Sequence, residues 1–262
     1  MTDRIAYAEL APQARSGRLA VPDHWKQGRT AYGGLTAAAM LERAQATMRD
    51  LPPLRSALIN FTGPVSSVAE LSAEGLRQGR NVTTVRAAAV DGGRAVGAGV
   101  FSFGAARDSS VRIDRPAPDA PAPADCPPFM PPQFERFAPA FFGNFECRLI
   151  EGDRPVSGSD RGYIRAWARH ADPGSRAGEG ALLCLADILP PAAMPMLKAP
   201  GPVSSMSWMV NLLRAPDTRD GWFMVESSLS AAGGGYSSQV MRMWNTDGQL
   251  VVEGMQSIVI FA

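Results

Sequence analysis

The predicted helices and strands follow the same order in both halves of the chain, and this repeat limits the possible folds more than any single motif does. In the first half, residues 31–48 are rich in Ala, Leu and Met, which favour helix, and four strand-like runs follow. In the second half, four more runs follow an apolar segment at 180–197, and residues 79–103 parallel residues 234–258 at a constant offset. The eight runs are 54–62, 69–78, 81–90, 94–103, 204–213, 222–230, 236–244 and 250–261, and two others, 141–150 and 162–168, precede the second helix.

A helix that precedes an antiparallel meander can bury its apolar surface if the sheet curls around it. Two such units can lie side by side and join their sheets. The sequence therefore predicts an α+β fold with two antiparallel sheets, each wrapped round a central helix and joined side by side. The predicted units are residues 1–104 and 141–262, and residues 105–140 are predicted to link them, because the prolines crowded there disfavour both helices and sheet ladders.

The apolar segment 180–197 contains one acid, Asp187, followed closely by Pro190 and Pro191. A buried carboxylate costs several kcal/mol unless it is paired or remains in contact with water. A proline in a helix removes the hydrogen bond to the carbonyl four residues back, so these two prolines would free the carbonyls of Ala186 and Asp187. An acid beside freed backbone acceptors predicts a functional site.

The composition excludes several classes of protein. Lys and Arg total 26 and Asp and Glu total 25, so the net charge of +1 argues against a general nucleic-acid binder. The three cysteines are scattered without metal-ligand spacing, and no metal or other cofactor is expected. No run is apolar for long enough to suggest a membrane span, and the N-terminus lacks the apolar run of a signal peptide, so we expect a cytoplasmic protein without membrane contact.

Several stretches together resemble the acyl-CoA thioesterase II (TesB-like) family, which has a double hotdog fold. In the first half these are the turn Tyr32-Gly33-Gly34 and the strand pair at 79–103. In the second half they are LADILPPAAMP, SSMSWMVNLLRAP and GQLVVEGMQSIVIF. The resemblance implies hydrolysis of acyl-CoA thioesters to free acid and coenzyme A, and it implies a homo-oligomer because family members often assemble further.

The resemblance also implies which residues act. In this family an Asp, a Gln and a Thr or Ser jointly hold the attacking water. Asp187 matches the aspartate, Gln256 the glutamine and Ser205 the hydroxyl residue, with Ser204 and Ser207 as rival alignments. Serine in place of the commoner threonine keeps the hydroxyl but loses the methyl group that restricts its rotamer.

Each of these residues also has a purely structural interpretation. Asp187 could cap the broken helix or pair with an arginine such as Arg165. Gln256 could bond to backbone at a sheet edge, although alternation places it on a face with apolar or small neighbours, and Phe101 occupies the equivalent position in the first half. Gly33 and Gly34 could admit a substrate carbonyl oxygen to the N–H groups of a helix start, or could only form a tight turn.

Two rival functions remain open from the sequence. One is a non-catalytic hotdog module that binds acyl-CoA or acyl-carrier protein. The other is a hotdog dehydratase, which needs a His beside an acid on a helix. The histidines are His24, in a polar loop, and His170, which is expected at the surface. Arg77, Arg80 and Arg242 could meet the phosphates of coenzyme A or simply be exposed.

Overall fold

The computed structural model describes residues 4–261, which form an antiparallel sheet and three α-helices. The helices are α1 (Tyr7–Ser16), α2 (Gly33–Thr47) and α3 (Glu179–Ala186). The first-half strands are β1 (Arg18–Ala20), β2 (Lys26–Gln27), β3 (Thr30–Ala31), β4 (Leu54–Phe61), β5 (Val68–Gln78), β6 (Val82–Asp91) and β7 (Arg94–Gly104). The second-half strands are β8 (Phe145–Gly152), β9 (Tyr163–His170), β10 (Val203–Leu212), β11 (Phe223–Gly233), β12 (Tyr236–Asn245) and β13 (Leu250–Ile260).

Eleven of these strands form one sheet in the order β1-β5-β6-β7-β4-β10-β13-β12-β11-β9-β8, and β2 pairs with β3 separately. The order is nearly symmetric about the pairing of β4 with β10, where Met209 lies opposite Leu58. The predicted α+β class with antiparallel meanders is confirmed. The two meanders, which were predicted to lie side by side with joined sheets, meet where β4 pairs with β10, and this pairing supplies hydrogen-bond partners to an edge strand of each. The double hotdog arrangement itself stays a prediction.

The helix α3 ends much earlier than the apolar run at 180–197 suggests, because prolines follow it. The predicted segment 180–197 is α-helical only to Ala186, and a short 3₁₀ turn (Met194–Met196) follows. Asp187 is the residue that ends α3, with non-helical backbone angles. The helix α1, which contains Pro12, was not predicted from the sequence.

The two central helices pack against each other on the inner face of the sheet, and glycines allow their close approach. A β-carbon on Gly34, near the start of α2, would lie 2.4 Å from the carbonyl oxygen of Cys184 in α3. A β-carbon on Gly180, near the start of α3, would lie 2.3 Å from Glu42 Oε1 in α2. Each helix therefore brings a glycine near its start into close contact with the other helix.

The chain between β7 and β8 crosses the outer face of the second half as irregular backbone and short 3₁₀ turns. Trp167 and Trp244 donate their indole N–H groups to the carbonyls of Pro121 and Arg115. These tryptophans belong to a small apolar cluster that is separate from the main core. The proline-rich segment thus covers apolar surface, while the predicted domain boundaries stay a prediction.

Within residues 4–261, no helix has the length and apolar character needed to cross a membrane.

We predict that Gly34→Ala destabilises the protein by about 1–3 kcal/mol, the usual cost of overpacking a core. The added methyl group would meet backbone of α3, which cannot rotate away as a flexible side chain can. Gly233→Ala is the matched control, because a β-carbon there has nothing within 4 Å. Urea unfolding of both variants measures the difference, and equal stabilities would contradict the packing described here.

Candidate active site

Asp187 is positioned by the break in α3 and lies partly buried on the inner side of the sheet. The arginine considered as its partner is elsewhere. Arg165 pairs with Glu226 at 3.0 Å and with Glu151 at 3.3 Å. Asp187 instead receives a hydrogen bond from a neutral amide, Gln256 Nε2, at 2.9 Å from Oδ1.

Ser205 and Gln256 come from the neighbouring strands β10 and β13. Gln256 Nε2 also donates to Ser205 Oγ at 3.0 Å, so one amide nitrogen joins the acid and the hydroxyl. A β-bulge lies between Ser205 and Ser207. The extra residue lets Ser205 share the inner face with Trp208, which lies directly opposite Gln256.

The rival serines do not join this cluster. The Ser204 side chain is exposed, and its hydroxyl lies 3.5 Å from the carbonyl oxygen of Ser205. Ser207 lines an outer surface groove beside the exposed side chains of Leu58 and Met255. Of the three alignments considered, only the one through Ser205 brings a hydroxyl to Asp187 and Gln256.

The start of α2 closes the other side of the site. A β-carbon on Gly33 would lie 2.7 Å from Asp187 Oδ2, so only glycine leaves the carboxylate in this position. The backbone N–H of Gly34 is close enough to Asp187 to lower the pKa of its carboxyl group. The first N–H groups of a helix have no acceptor within the helix, and the helix dipole favours negative charge there. The first half of the chain therefore contributes a helix start to an acid of the second half.

Burial raises the pKa of Asp187 to about 7, although hydrogen bonds from Gln256 and Gly34 act to lower it. Its immediate surroundings are apolar and dense, while part of its surface stays accessible to water. A carboxyl group with this pKa exchanges a proton near neutral pH, which suits a general base.

A second glutamine, Gln239, lies behind Gln256 and was not predicted from the sequence. It is fully buried in β12, directly opposite Gln256 in β13. Its Nε2 donates to Gln256 Oε1 at 2.8 Å, and its Oε1 accepts from the backbone N–H of Ala192 at 2.7 Å. The sequence indicates this residue in one way only. Strand alternation places Gln239 on the same face as Met241 and Met243, and a buried amide on such a face needs hydrogen-bond partners.

The histidines lie outside this cluster. The expectation that His170 is at the surface was wrong, since it is 3% exposed and its Nε2 lies 2.9 Å from the carbonyl oxygen of Ala181. Burial lowers the pKa of His170 to about 4, so its ring is neutral at pH 7. His24 Nε2 lies 3.1 Å from the carbonyl oxygen of Ile5. In residues 4–261, no three His, Cys, Asp or Glu side chains converge as metal ligands would.

Arg242, considered for coenzyme A phosphates, is held by two acids of the sheet. Its Nε donates to Glu253 at 2.8 Å and its Nη1 to Glu226 at 3.3 Å. These pairs use its charge within the protein, which weakens the case for a phosphate contact.

The equivalent region of the first half also has an acid, Glu42, but its hydrogen-bond partners differ from those of Asp187. Phe101 lies opposite Ala57, where the second half pairs Gln256 with Trp208. Glu42 of α2 accepts hydrogen bonds from Tyr7 Oη at 2.8 Å and from Arg15 Nε at 2.7 Å. Side chains of the N-terminal helix α1 thus form hydrogen bonds to both carboxylate oxygens of Glu42.

Comparisons with known proteins give consistent results. Two family models match the chain, the acyl-CoA thioesterase N-terminal domain over residues 21–104 and the C-terminal domain over residues 123–260. A search of curated proteins returned no match.

Solved structures with hotdog folds superpose on most of the chain. A conserved protein of unknown function with a hot dog fold from Alicyclobacillus acidocaldarius is 24% identical, with a TM-score of 0.82 over 94% of this chain and 92% of that one. The acyl-CoA thioesterase II TesB2 from Mycobacterium marinum is 22% identical, with a TM-score of 0.71 over 94% and 93%. The tesB protein of Mycobacterium avium subspecies paratuberculosis is 18% identical, with a TM-score of 0.74 over 99% and 96%. These similarities establish the hotdog fold.

We predict that Asp187→Asn stabilises the folded protein more at pH 8 than at pH 5. The folded pKa of Asp187, about 7, is above the ordinary value of 3.8, so the wild-type protein loses stability as the pH rises from about 4 to about 7. Removing this ionisation should change the stability difference between variant and wild type by roughly 2–3 kcal/mol between pH 5 and pH 8, at 1.36 kcal/mol per pKa unit.

Urea unfolding at pH 5 and pH 8 measures this difference. Asp91→Asn is the control of opposite sign, because hydrogen bonds from Ser66 hold the pKa of Asp91 below its ordinary value. Its replacement should bring no gain in stability at pH 8. An Asp187→Asn effect that is the same at both pH values would contradict the raised pKa.

Proposed function

The chain belongs to the acyl-CoA thioesterase family and is a thioester hydrolase, and on that premise we propose that it cleaves acyl-CoA with a water molecule activated by Asp187. The observation that carries this proposal is the double hydrogen bond from Gln256 Nε2 to Asp187 Oδ1 and Ser205 Oγ. A buried amide with a purely structural role can be satisfied by any hydrogen-bond partner. The Gln256 amide instead holds Asp187, a carboxyl group with a pKa suited to a base, beside the Ser205 hydroxyl.

In the proposed reaction, a water molecule donates a hydrogen bond to Asp187 and attacks the thioester carbonyl carbon. Asp187 takes the proton as the new C–O bond forms, which gives a tetrahedral intermediate. The C–S bond then breaks, and the coenzyme A sulfur leaves with the proton returned by Asp187. The products are a free carboxylic acid and coenzyme A, and no other proton carrier is required.

We propose different roles for Ser205 and Gln256. Both Nε2 hydrogens of Gln256 are used, one on Asp187 and one on Ser205, so Gln256 fixes these two oxygens instead of touching the water itself. Because the Ser205 oxygen accepts from Gln256, its own O–H remains to donate to the water. The two side chains thus orient the nucleophile without competing with Asp187 for the proton.

The start of α2 is the proposed site for the negative charge that develops on the carbonyl oxygen. The helix dipole favours an anion there, and the first N–H groups of the helix have no acceptor within it. The Gly34 N–H acts to lower the pKa of Asp187. We therefore propose that the N–H of Gly33 is the principal donor to the oxyanion and that Gly34 supports the base.

Two alternatives are less well supported by the geometry. A binding module without activity has no need for a base with a pKa of about 7 held by two donors. A dehydratase would require a histidine beside the acid, and the buried His170 is instead bonded to the backbone of α3.

We also propose that each half is one unit of a double hotdog, with residues 105–140 as the segment between them. We propose further that the protein acts as a homo-oligomer.

We predict that Asp187→Asn lowers kcat by at least about 100-fold, because general base catalysis contributes about 10²–10⁴-fold. Ser205→Ala and Gln256→Met should each cost about 10- to 100-fold, since they orient groups and do not take the proton. Ser204→Ala is the matched control, because its exposed hydroxyl is outside the cluster. Thiol release from a panel of acyl-CoAs measures all four variants.

Two outcomes of this assay would contradict the proposal. Unchanged hydrolysis by Asp187→Asn would exclude the mechanism. Tight acyl-CoA binding by the wild-type protein without any thiol release would favour the binding module.

We predict that kcat/KM of the wild-type enzyme falls tenfold per pH unit below about pH 7, because Asp187 must be ionised to accept a proton. The residual activity of Asp187→Asn should lack this acid limb. Initial rates between pH 5 and pH 9 provide the measurement, and a wild-type profile that is flat down to pH 5 would contradict the assignment of the base.

A further inference from the structure

We propose that Gln239 is a positioning residue that fixes which end of the Gln256 amide faces Asp187 and Ser205. This inference rests on the proposed function, since it concerns the geometry of the same site. Gln239 touches none of the proposed reacting groups and acts through Gln256. Its own side chain is 0% exposed, and both of its polar ends are hydrogen-bonded.

The need for such a residue follows from the chemistry of an amide. The oxygen and nitrogen ends of a glutamine side chain have nearly the same shape, so packing alone does not select one orientation. If Gln256 were rotated by 180°, its carbonyl oxygen would face the Asp187 carboxylate, and two acceptors would repel each other. The site therefore requires a partner that permits only one orientation.

A backbone N–H sets the direction of the whole chain of hydrogen bonds. The Ala192 N–H can only donate, so Gln239 must present Oε1 to it. Gln239 Nε2 then faces Gln256, which must present Oε1 in turn. The Nε2 of Gln256 is left to face Asp187 and Ser205.

The prolines that end α3 also supply this starting donor. Pro190 and Pro191 have no N–H group, so Ala192 is the first backbone donor after them. Its N–H lies outside a helix and is bonded by Gln239. The segment from Asp187 to Ala192 is thus held at both ends by the two glutamines, one at the acid and one at the backbone.

Strand register makes this arrangement rigid. Gln239 and Gln256 are directly paired across β12 and β13, and Gln256 is directly paired with Trp208 across β13 and β10. Both amides are therefore fixed to central strands of the sheet. Neither depends on a flexible loop for its position.

The test compares Gln239→Met with the wild-type enzyme. Methionine has a similar length and fills the space, but it can neither donate to Gln256 nor accept well from Ala192. We expect kcat to fall about 10- to 100-fold, as losses of supporting hydrogen bonds in catalytic sites commonly do, with KM changed less than about twofold. The acid limb of kcat/KM should move to higher pH, because donation from Gln256 lowers the pKa of Asp187.

A double-mutant cycle separates positioning from a general loss of structure. If Gln239 acts through Gln256, Gln239→Met should have less than about a twofold further effect on kcat in a Gln256→Met background. A merely structural role would lower kcat by the same factor in both backgrounds and leave the pH profile in place. Gln239→Asn, which keeps the amide but is one methylene shorter, provides a second test if the methionine variant does not fold.

Ser237→Ala is the matched control on the same strand face. Ser237 is 4% exposed, and within the described residues its hydroxyl has no hydrogen-bond partner. Its replacement should leave both kcat and the acid limb unchanged.

The outcomes distinguish this inference from the proposed function. If Asp187→Asn is inactive while folded Gln239 variants keep the wild-type kcat and acid limb, the positioning role is wrong and the mechanism stands. Equal effects of Gln239→Met in both backgrounds would also overturn the positioning role. If Asp187→Asn retains full activity, the proposed function fails first. A loss of kcat with a shifted limb, absent in the Gln256→Met background, supports the inference.

Discussion

A carboxylate at the broken end of α3 faces the glycine-rich start of α2, and the rest of the site depends on this contact. Asp187 reaches this place because α3 ends just before it, ahead of Pro190 and Pro191, and α2 approaches because Gly33 and Gly34 carry no side chain. The apolar surroundings raise the pKa of the acid, while donors from Gln256 and the start of α2 limit the rise. Packing of the two helices and the raised pKa of Asp187, the proposed base, are therefore inseparable.

The two halves share a scaffold but differ in the polar groups they place on it. The sheet is close to symmetric about the β4–β10 pair, and each helix brings a glycine to the partner helix. The second half has the amide of Gln256 opposite Trp208 of β10, whereas the first half has Phe101 opposite Ala57 of β4. The acid of the first half, Glu42, is bonded by Tyr7 and Arg15 of α1, so it serves the attachment of that helix.

The residues of the site were predicted from the sequence to different extents, each for a physical reason. Asp187 was conspicuous because an acid in an apolar segment needs an explanation. Ser205 was assigned through the family resemblance and not through strand alternation, which would place it with the outward Met209. A β-bulge changes which residues of β10 face inward, and the sequence pattern does not show it. Gln239 was missed because its role depends on a pairing across strands and on a backbone N–H far along the chain.

The sequence by itself determined the order of elements, the antiparallel meanders, the helix break and the family resemblance, since these follow from local periodicity, proline chemistry and motif order. Tertiary structure alone decided that β4 and β10 are the strands that join the halves, that His170 is buried and that the start of α2 lies on Asp187. These features join residues more than 100 positions apart, or depend on which surfaces become covered. Local sequence patterns carry no information on either, because many arrangements of the same helices and strands satisfy them equally well.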